Sequence, residues 1–290
     1  MEHVFETGDG RKLAVTEGGD PDGVPCLVHQ GTPNSRLQYG PDVAVAREHG
    51  IRMITYDRPG YGGSTPQPGR TIADCAADAR TICAGLGIER ILSWGISGGG
   101  PHVLACAALL PDLIPAAASL ASPAPFDAEG LDWFAGMGEL NTDDYRLMVR
   151  DKVAARAKLE AERVEMLGAN AEQVLEIITT LVSPVDAAVF TPELAQYFVD
   201  SAADGLGPGC EGWWEDGVAD VEPWGFEFSD ISIPVLLLHG RQDRFVPFGH
   251  GVWLAAQIPA VEARLTEEDG HLTLTVHHSG EIYDWLLERW

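Results

Sequence analysis

Gly95-Ile96-Ser97-Gly98-Gly99 is the stretch from which the rest of the chain is read. It is a G-x-S-x-G pentapeptide. Before it stands Arg90-Ile91-Leu92-Ser93-Trp94, an apolar run that predicts a strand. After it comes Gly100-Pro101-His102-Val103-Leu104-Ala105-Cys106-Ala107-Ala108-Leu109-Leu110, which predicts a buried helix. A serine on a sharp strand-to-helix turn is held out from the backbone, where a base and a substrate can reach it. Flanking glycines suit so tight a turn, because side chains would clash there. The alternative is a Gly-rich turn with an idle serine.

The surrounding pattern supports the first reading. A hairpin is predicted at the start, from His3–Glu6 through Gly8-Asp9-Gly10 to Lys12–Glu17. Apolar strands follow at Val24–His29, Ile51–Tyr56, Ile91–Trp94, Ala117–Leu120 and Val235–Leu238, with a weak one at Val261–Leu265. Helical patterns lie between them at 41–49, 71–86 and 99–110. Strands that are apolar on both faces and alternate with helices indicate an α/β fold with a mostly parallel central sheet flanked by helices. The alternation stops after Ala121. Residues 124–228 contain no good strand but hold charged helical patterns at Thr142–Leu167 and Asn170–Val182, then the acidic segment Trp213-Trp214-Glu215-Asp216. The expected organisation is a core of residues 1–123 and 229–290 with a helical cap, 124–228, inserted over the active face. Surface helices unrelated to substrate are the alternative.

Composition narrows the function classes. A chain of 290 residues, 45% hydrophobic and with eight tryptophans, can bury a large core. It has no apolar run of membrane length, and its N-terminus lacks the basic and apolar regions of a secretory signal, so the expectation is a cytoplasmic protein. Cys26, Cys75, Cys83, Cys106 and Cys210 show no paired spacing, which suggests buried free thiols and no zinc site. The net charge of −25 argues against nucleic acid and anionic membranes as partners. The oligomeric state is not legible.

A serine hydroxyl needs an imidazole to take its proton, and the imidazole needs a third group to fix its tautomer. In a parallel sheet these groups come from loops beyond the carboxyl ends of later strands. Asp243 lies just beyond Val235–Leu238, whereas Asp230 precedes that strand at the wrong end. Four histidines follow Asp243. His250 opens a helical segment and is expected to face solvent, and His277 and His278 fall inside the last helix. His271 follows the weak strand and the loop Glu267-Glu268-Asp269-Gly270, so it is the predicted base. A turn role for Asp243 and an exposed-loop role for His271 are the competing readings. An oxyanion would need two N–H donors. Gly98, after the nucleophile, is expected to supply one, and Thr32 in His29-Gln30-Gly31-Thr32-Pro33 the other, since Pro33 has no N–H; a simple strand-ending turn is the competing reading of that loop.

These pieces, with Asp57-Arg58-Pro59-Gly60-Tyr61-Gly62-Gly63-Ser64, Leu238-His239-Gly240-Arg241-Gln242-Asp243-Arg244-Phe245-Val246-Pro247 and Gly270-His271, occur in one order. In that order the chain resembles the α/β-hydrolase fold superfamily over nearly its whole length. The resemblance implies Ser97, Asp243 and His271 as nucleophile, acid and base, Thr32 and Gly98 as oxyanion donors, and no metal or organic cofactor. Gln30 departs from the uninterrupted His-Gly of many relatives, and the cap matches no subfamily pattern. Serine at 97 speaks against the aspartate nucleophile of epoxide hydrolases and haloalkane dehalogenases. The expected activity is hydrolysis of a small-molecule carboxylic ester through an acyl-enzyme. One alternative is an aminopeptidase similar to proline iminopeptidases, with Glu160, Glu162, Glu165 or Glu211 of the cap holding a substrate ammonium. A non-catalytic small-molecule receptor is the other. Trp133, Phe134, Trp213, Trp214 and Trp224 either line a pocket or anchor the cap.

Overall fold

The computed structural model describes residues 1–290. Eight strands form one sheet: β1 (Glu2–Glu6), β2 (Lys12–Gly19), β3 (Val24–His29), β4 (Ile51–Tyr56), β5 (Leu92–Ile96), β6 (Ala117–Leu120), β7 (Val235–Gly240) and β8 (Val261–Thr266). Their spatial order is β1-β2-β4-β3-β5-β6-β7-β8. β2 runs antiparallel to both β1 and β4, and every other pairing is parallel. The inner strands are apolar without alternation because both their faces are covered. Along β3, Cys26 and Val28 pack on one side and Leu27 on the other. Along β7, Leu236 and Leu238 take the first side, Val235 and Leu237 the second. β8 is an edge strand with no fully buried residue, which explains its weak sequence signal.

Helices α1 (Gly40–Glu48) and α11 (Thr273–Leu287) cover one face of the sheet. α2 (Cys75–Leu86), α3 (Gly99–Leu109) and α10 (Phe248–Gln257) cover the other. All five cysteines are buried and free. No helix is long and apolar enough to cross a membrane. Between β6 and β7 the chain forms only helices: α4 (Glu139–Arg150), α5 (Lys152–Gly168), α6 (Ala171–Ile177), α7 (Pro184–Val189), α8 (Pro192–Leu206) and α9 (Glu211–Val221), then a short 3-10 turn at Phe228–Asp230. Two expected helices come out shorter, the first because a local cap interrupts it. Asp151 accepts hydrogen bonds from the N–H groups of Val153 and Ala154, ending α4 and starting α5. Asn170 and Gln173 form a capping box that starts α6, which stops at Ile177.

The sheet order sets where a site can form. From β3 the chain moves to β4 on one side, and from β5 it moves to β6 on the other. The crevice beyond the carboxyl ends of β3 and β5 lies at this switch point, where α/β sheets bind their ligands. The loop after β3 carries Thr32, and the turn after β5 carries Ser97.

Candidate active site

Ser97 is built into a strained turn. Its φ is 55°, the left-handed region that a side chain rarely occupies. The strain is held by a hydrogen bond from the Ser97 N–H to Leu120 O (2.9 Å) and one from the Gly100 N–H to Ser97 O (2.8 Å). A Cβ at Gly99 would lie 2.0 Å from His29 O, so only glycine lets α3 start this close to β3. A Cβ at Gly98 would lie 2.3 Å from Thr32 Oγ1 and 3.3 Å from Thr32 N. The structure therefore brings together the turn of Gly98 and the loop of Thr32, both predicted as oxyanion donors.

The Thr32 loop is held by a buried ion cluster. Arg58 donates to Gln30 O, to Gly31 O (3.4 Å) and to Thr32 Oγ1 (2.9 Å). Its guanidinium pairs with Asp216 of α9 at 2.6 Å, and Arg70 pairs with the other carboxylate oxygen. Tyr61 (2.8 Å) and Thr32 (2.9 Å) donate their hydroxyls to the same Asp216. Burial alone would raise the Asp216 pKa, but Arg58 and then Arg70 hold it well below the usual carboxylate range. Sequence reasoning missed this cluster. Thr32, Arg58, Tyr61 and Asp216 lie in three quoted stretches and Arg70 in none, and nothing in the sequence pairs residues 158 positions apart.

Asp243 and His271 also meet. His271 Nδ1 lies 2.7 Å from Asp243 Oδ2, and Asp243 Oδ1 accepts from the N–H groups of Phe245 (2.8 Å) and Val246 (2.9 Å). This arrangement makes Nδ1 the protonated nitrogen and leaves Nε2 free as a base. Burial would lower the His271 pKa, but the Asp243 charge and its hydrogen bond, helped by Asp186, leave it raised. The Phe245 ring stacks on the imidazole at 4.5 Å. His271 itself is buried, and no hydrogen bond joins it to Ser97.

His250 departs from expectation. It is fully buried, not solvent-facing. Its Nδ1 accepts from Ala124 N–H at 3.0 Å and its Nε2 donates to Trp133 O at 2.8 Å, so it ties down the segment leaving β6. Burial pushes its pKa down to about 4, which keeps it neutral.

A cavity of about 370 Å³ opens on Ser97, Gly98 and Thr32. Its walls are mostly apolar side chains of α4, α5 and α6, with Trp133 and Trp213. Of the other aromatics singled out, Trp224 packs into the sheet's own core, and Phe134 and Trp214 sit under Arg146 and Arg156. Glu162 and Glu165 line the cavity, with Asp144 and Asp220. Glu160 and Glu211 do not, being paired with Arg163 and Arg156. Asp220 accepts the Tyr145 hydroxyl at 2.7 Å, and burial raises its pKa to about 7.

Residues 26–277 match the family model described as alpha/beta hydrolase fold. A non-heme chloroperoxidase of Streptomyces lividans is 26% identical over 288 residues, 93% of each chain. A probable proline iminopeptidase of Streptomyces coelicolor is 32% identical over 108 residues, 33% of this chain and 32% of the relative. The solved structure of a thermophilic esterase from Thermogutta terrifontis superposes with a TM-score of 0.71 at 22% identity, covering 99% of this chain and 98% of that one.

Proposed function

The chain belongs to the alpha/beta hydrolase fold family, a hydrolase on that ground, and from that premise we propose a serine hydrolase that cleaves a small-molecule carboxylic ester through an acyl-enzyme. The observation that carries this reading is a left-handed Ser97 at the mouth of an apolar cavity, on the sheet edge where Asp243 and His271 are hydrogen-bonded. In this reading His271 Nε2 takes the Ser97 proton and Ser97 Oγ attacks the carbonyl carbon. The N–H groups of Gly98 and Thr32 receive the developing oxyanion. The protonated His271, stabilised by Asp243, gives its proton to the departing alkoxide. Water activated by the same base then releases the acid and restores Ser97. Residues 124–228 act as the cap whose inner wall shapes the acyl pocket, over a core of 1–123 and 229–290.

The test is the initial rate on p-nitrophenyl butyrate, with Ser97→Ala beside the wild type. The expected loss is on the order of 10⁴–10⁶-fold. Wild-type turnover in Ser97→Ala would overturn the assignment. A second reading, an aminopeptidase, is favoured by one observation: Asp144, Glu162, Glu165 and Asp220 line the cavity, and only Asp144 and Glu162 are paired with a cation, Lys158. Such a wall suits a substrate ammonium. A prolyl anilide turned over faster than the butyrate ester would establish it. A wild type that reacts with no acylating probe would leave the receptor reading.

A further inference from the structure

We propose that Asp186, carried into the core by α7, is a positioning residue for the base His271, fixing the backbone of its turn and setting a second negative charge beside the imidazole. The inference rests on the reading of His271 as the base.

Asp186 is fully buried. Its Oδ1 accepts from the N–H groups of Leu272 (2.7 Å) and Thr273 (3.3 Å). Its Oδ2 accepts the His271 N–H (3.1 Å) and the Ser183 hydroxyl (2.7 Å). These N–H groups are free donors of the first turn of α11 and the residues just before it, which no side chain of that segment satisfies. The positive end of a helix disfavours an imidazolium next to it, and a carboxylate set on that end offsets the effect. The fit is close: a Cβ at Gly270 would lie 2.3 Å from Asp186 Oδ2. All the hydrogen-bond partners of Asp186 are neutral, so no cation cancels its charge.

Other groups around His271 are accounted for. Asp243 binds its Nδ1, and His239 of β7, which donates to Val246 O, lies beyond Asp243. Asp269, two residues upstream, is engaged by His278 of α11 at 3.0 Å and faces His277 at 3.5 Å. Asp243 and Asp186 are thus the two carboxylates acting on the ring, one through a side-chain bond and one through the backbone and the field.

The test is a titration of His271 by NMR in protein labelled with ¹⁵N-histidine, beside the pH profile of kcat/KM on p-nitrophenyl butyrate. Removing a nearby negative charge destabilises the imidazolium and lowers its pKa. Asp186→Asn should move the His271 titration and the acid limb of the profile down by about one pH unit. The plateau kcat/KM should fall by about 10–100-fold, as expected for a base displaced from its position. Gly270→Ala keeps the carboxylate but forces it off the turn, and should shift the titration in the same direction. A folded variant whose His271 titrates as in the wild type, with only its melting temperature lowered, would reduce Asp186 to a helix cap and overturn the proposal. If Asp186→Asn does not fold, Gly270→Ala decides. The NMR readout needs no turnover. A failed esterase reading, seen as unchanged rates in Ser97→Ala, is therefore distinguishable from a failed Asp186 proposal.

Discussion

One helical turn separates Asp216 from Asp220 on α9, both are buried, and their acidities move in opposite directions. Burial raises the pKa of each. At Asp216 the guanidinium groups of Arg58 and Arg70 overcome burial and keep the carboxylate charged. At Asp220 burial, reinforced by the Asp216 charge, outweighs the Tyr145 hydroxyl and the pull of Arg58 and Arg70, so the group is left at about 7. Depth in the protein therefore does not decide whether a carboxylate keeps its charge; the donors within hydrogen-bond reach do. Asp243 is held instead by two backbone N–H groups and an imidazole. Asp216 is a fixed strut for the Thr32 loop, Asp220 is a group whose charge can change in the cavity, and Asp243 is, in the proposed reaction, the partner of the base.

The comparison breaks most visibly at Asp243. Asp243→Asn keeps the shape but presents His271 Nδ1 with a group that favours the wrong tautomer. The expected loss in kcat is about 10⁴-fold on any ester the wild type cleaves. A loss under tenfold would mean that Asp243 serves only to cap the turn of Phe245 and Val246.

Asp216 comes next. Asp216→Ala leaves two buried guanidinium groups without a counter-charge, at an expected cost of about 3–5 kcal/mol in urea unfolding. The Thr32 loop loses its brace at the same time, so residual activity should fall beyond what the unfolded fraction explains. Unchanged stability would show that water or Tyr61 can replace the carboxylate.

How much of this was legible in the sequence follows from range. The inner strands are legible because continuous burial leaves continuous apolar runs, as in Val235–Leu238. Ser97, Gly98 and Thr32 are legible because a tight turn restricts its own neighbours. Asp243 and His271 are legible from their places after β7 and β8. Asp186 and Asp216 are not: Asp216 lies on a helix among other acidic residues and Asp186 alone on the short apolar α7, and only the folded chain carries each to its partners. His250 misled for the same reason in reverse, since its burial comes from Ala124 and Trp133, more than a hundred positions away. The break at Asp151 was hidden because helical periodicity continues across it.

Asp220→Asn sharpens the contrast with Asp216 through pH. A folded-state pKa near 7 against the ordinary carboxylate value of 3.8 means that the folded protein holds a proton the unfolded chain releases. Wild-type stability should therefore fall as pH rises from about 4 to 7, a penalty fully present above 7. Asparagine still accepts the Tyr145 hydroxyl but carries no such penalty. The variant should match the wild type at pH 4 and exceed it by about 2–4 kcal/mol at pH 8. Parallel curves of melting temperature against pH would show that a cavity water or counter-ion already neutralises Asp220.

The smallest effect is expected at Asp151, where the same chemistry meets solvent. Its carboxylate accepts from the N–H groups of Val153 (3.1 Å) and Ala154 (3.0 Å), much as Asp186 accepts from Leu272 and Thr273. Asp151 is exposed and Asp186 is not. Water can take over the freed N–H groups at the start of α5 but cannot reach those of the His271 turn without opening the core. Asp151→Ala should therefore cost about 1 kcal/mol, seen as a small drop in the urea midpoint with activity unchanged. A cost above about 3 kcal/mol would break the comparison, because it would mean that helix capping carries the same weight in water as in the core.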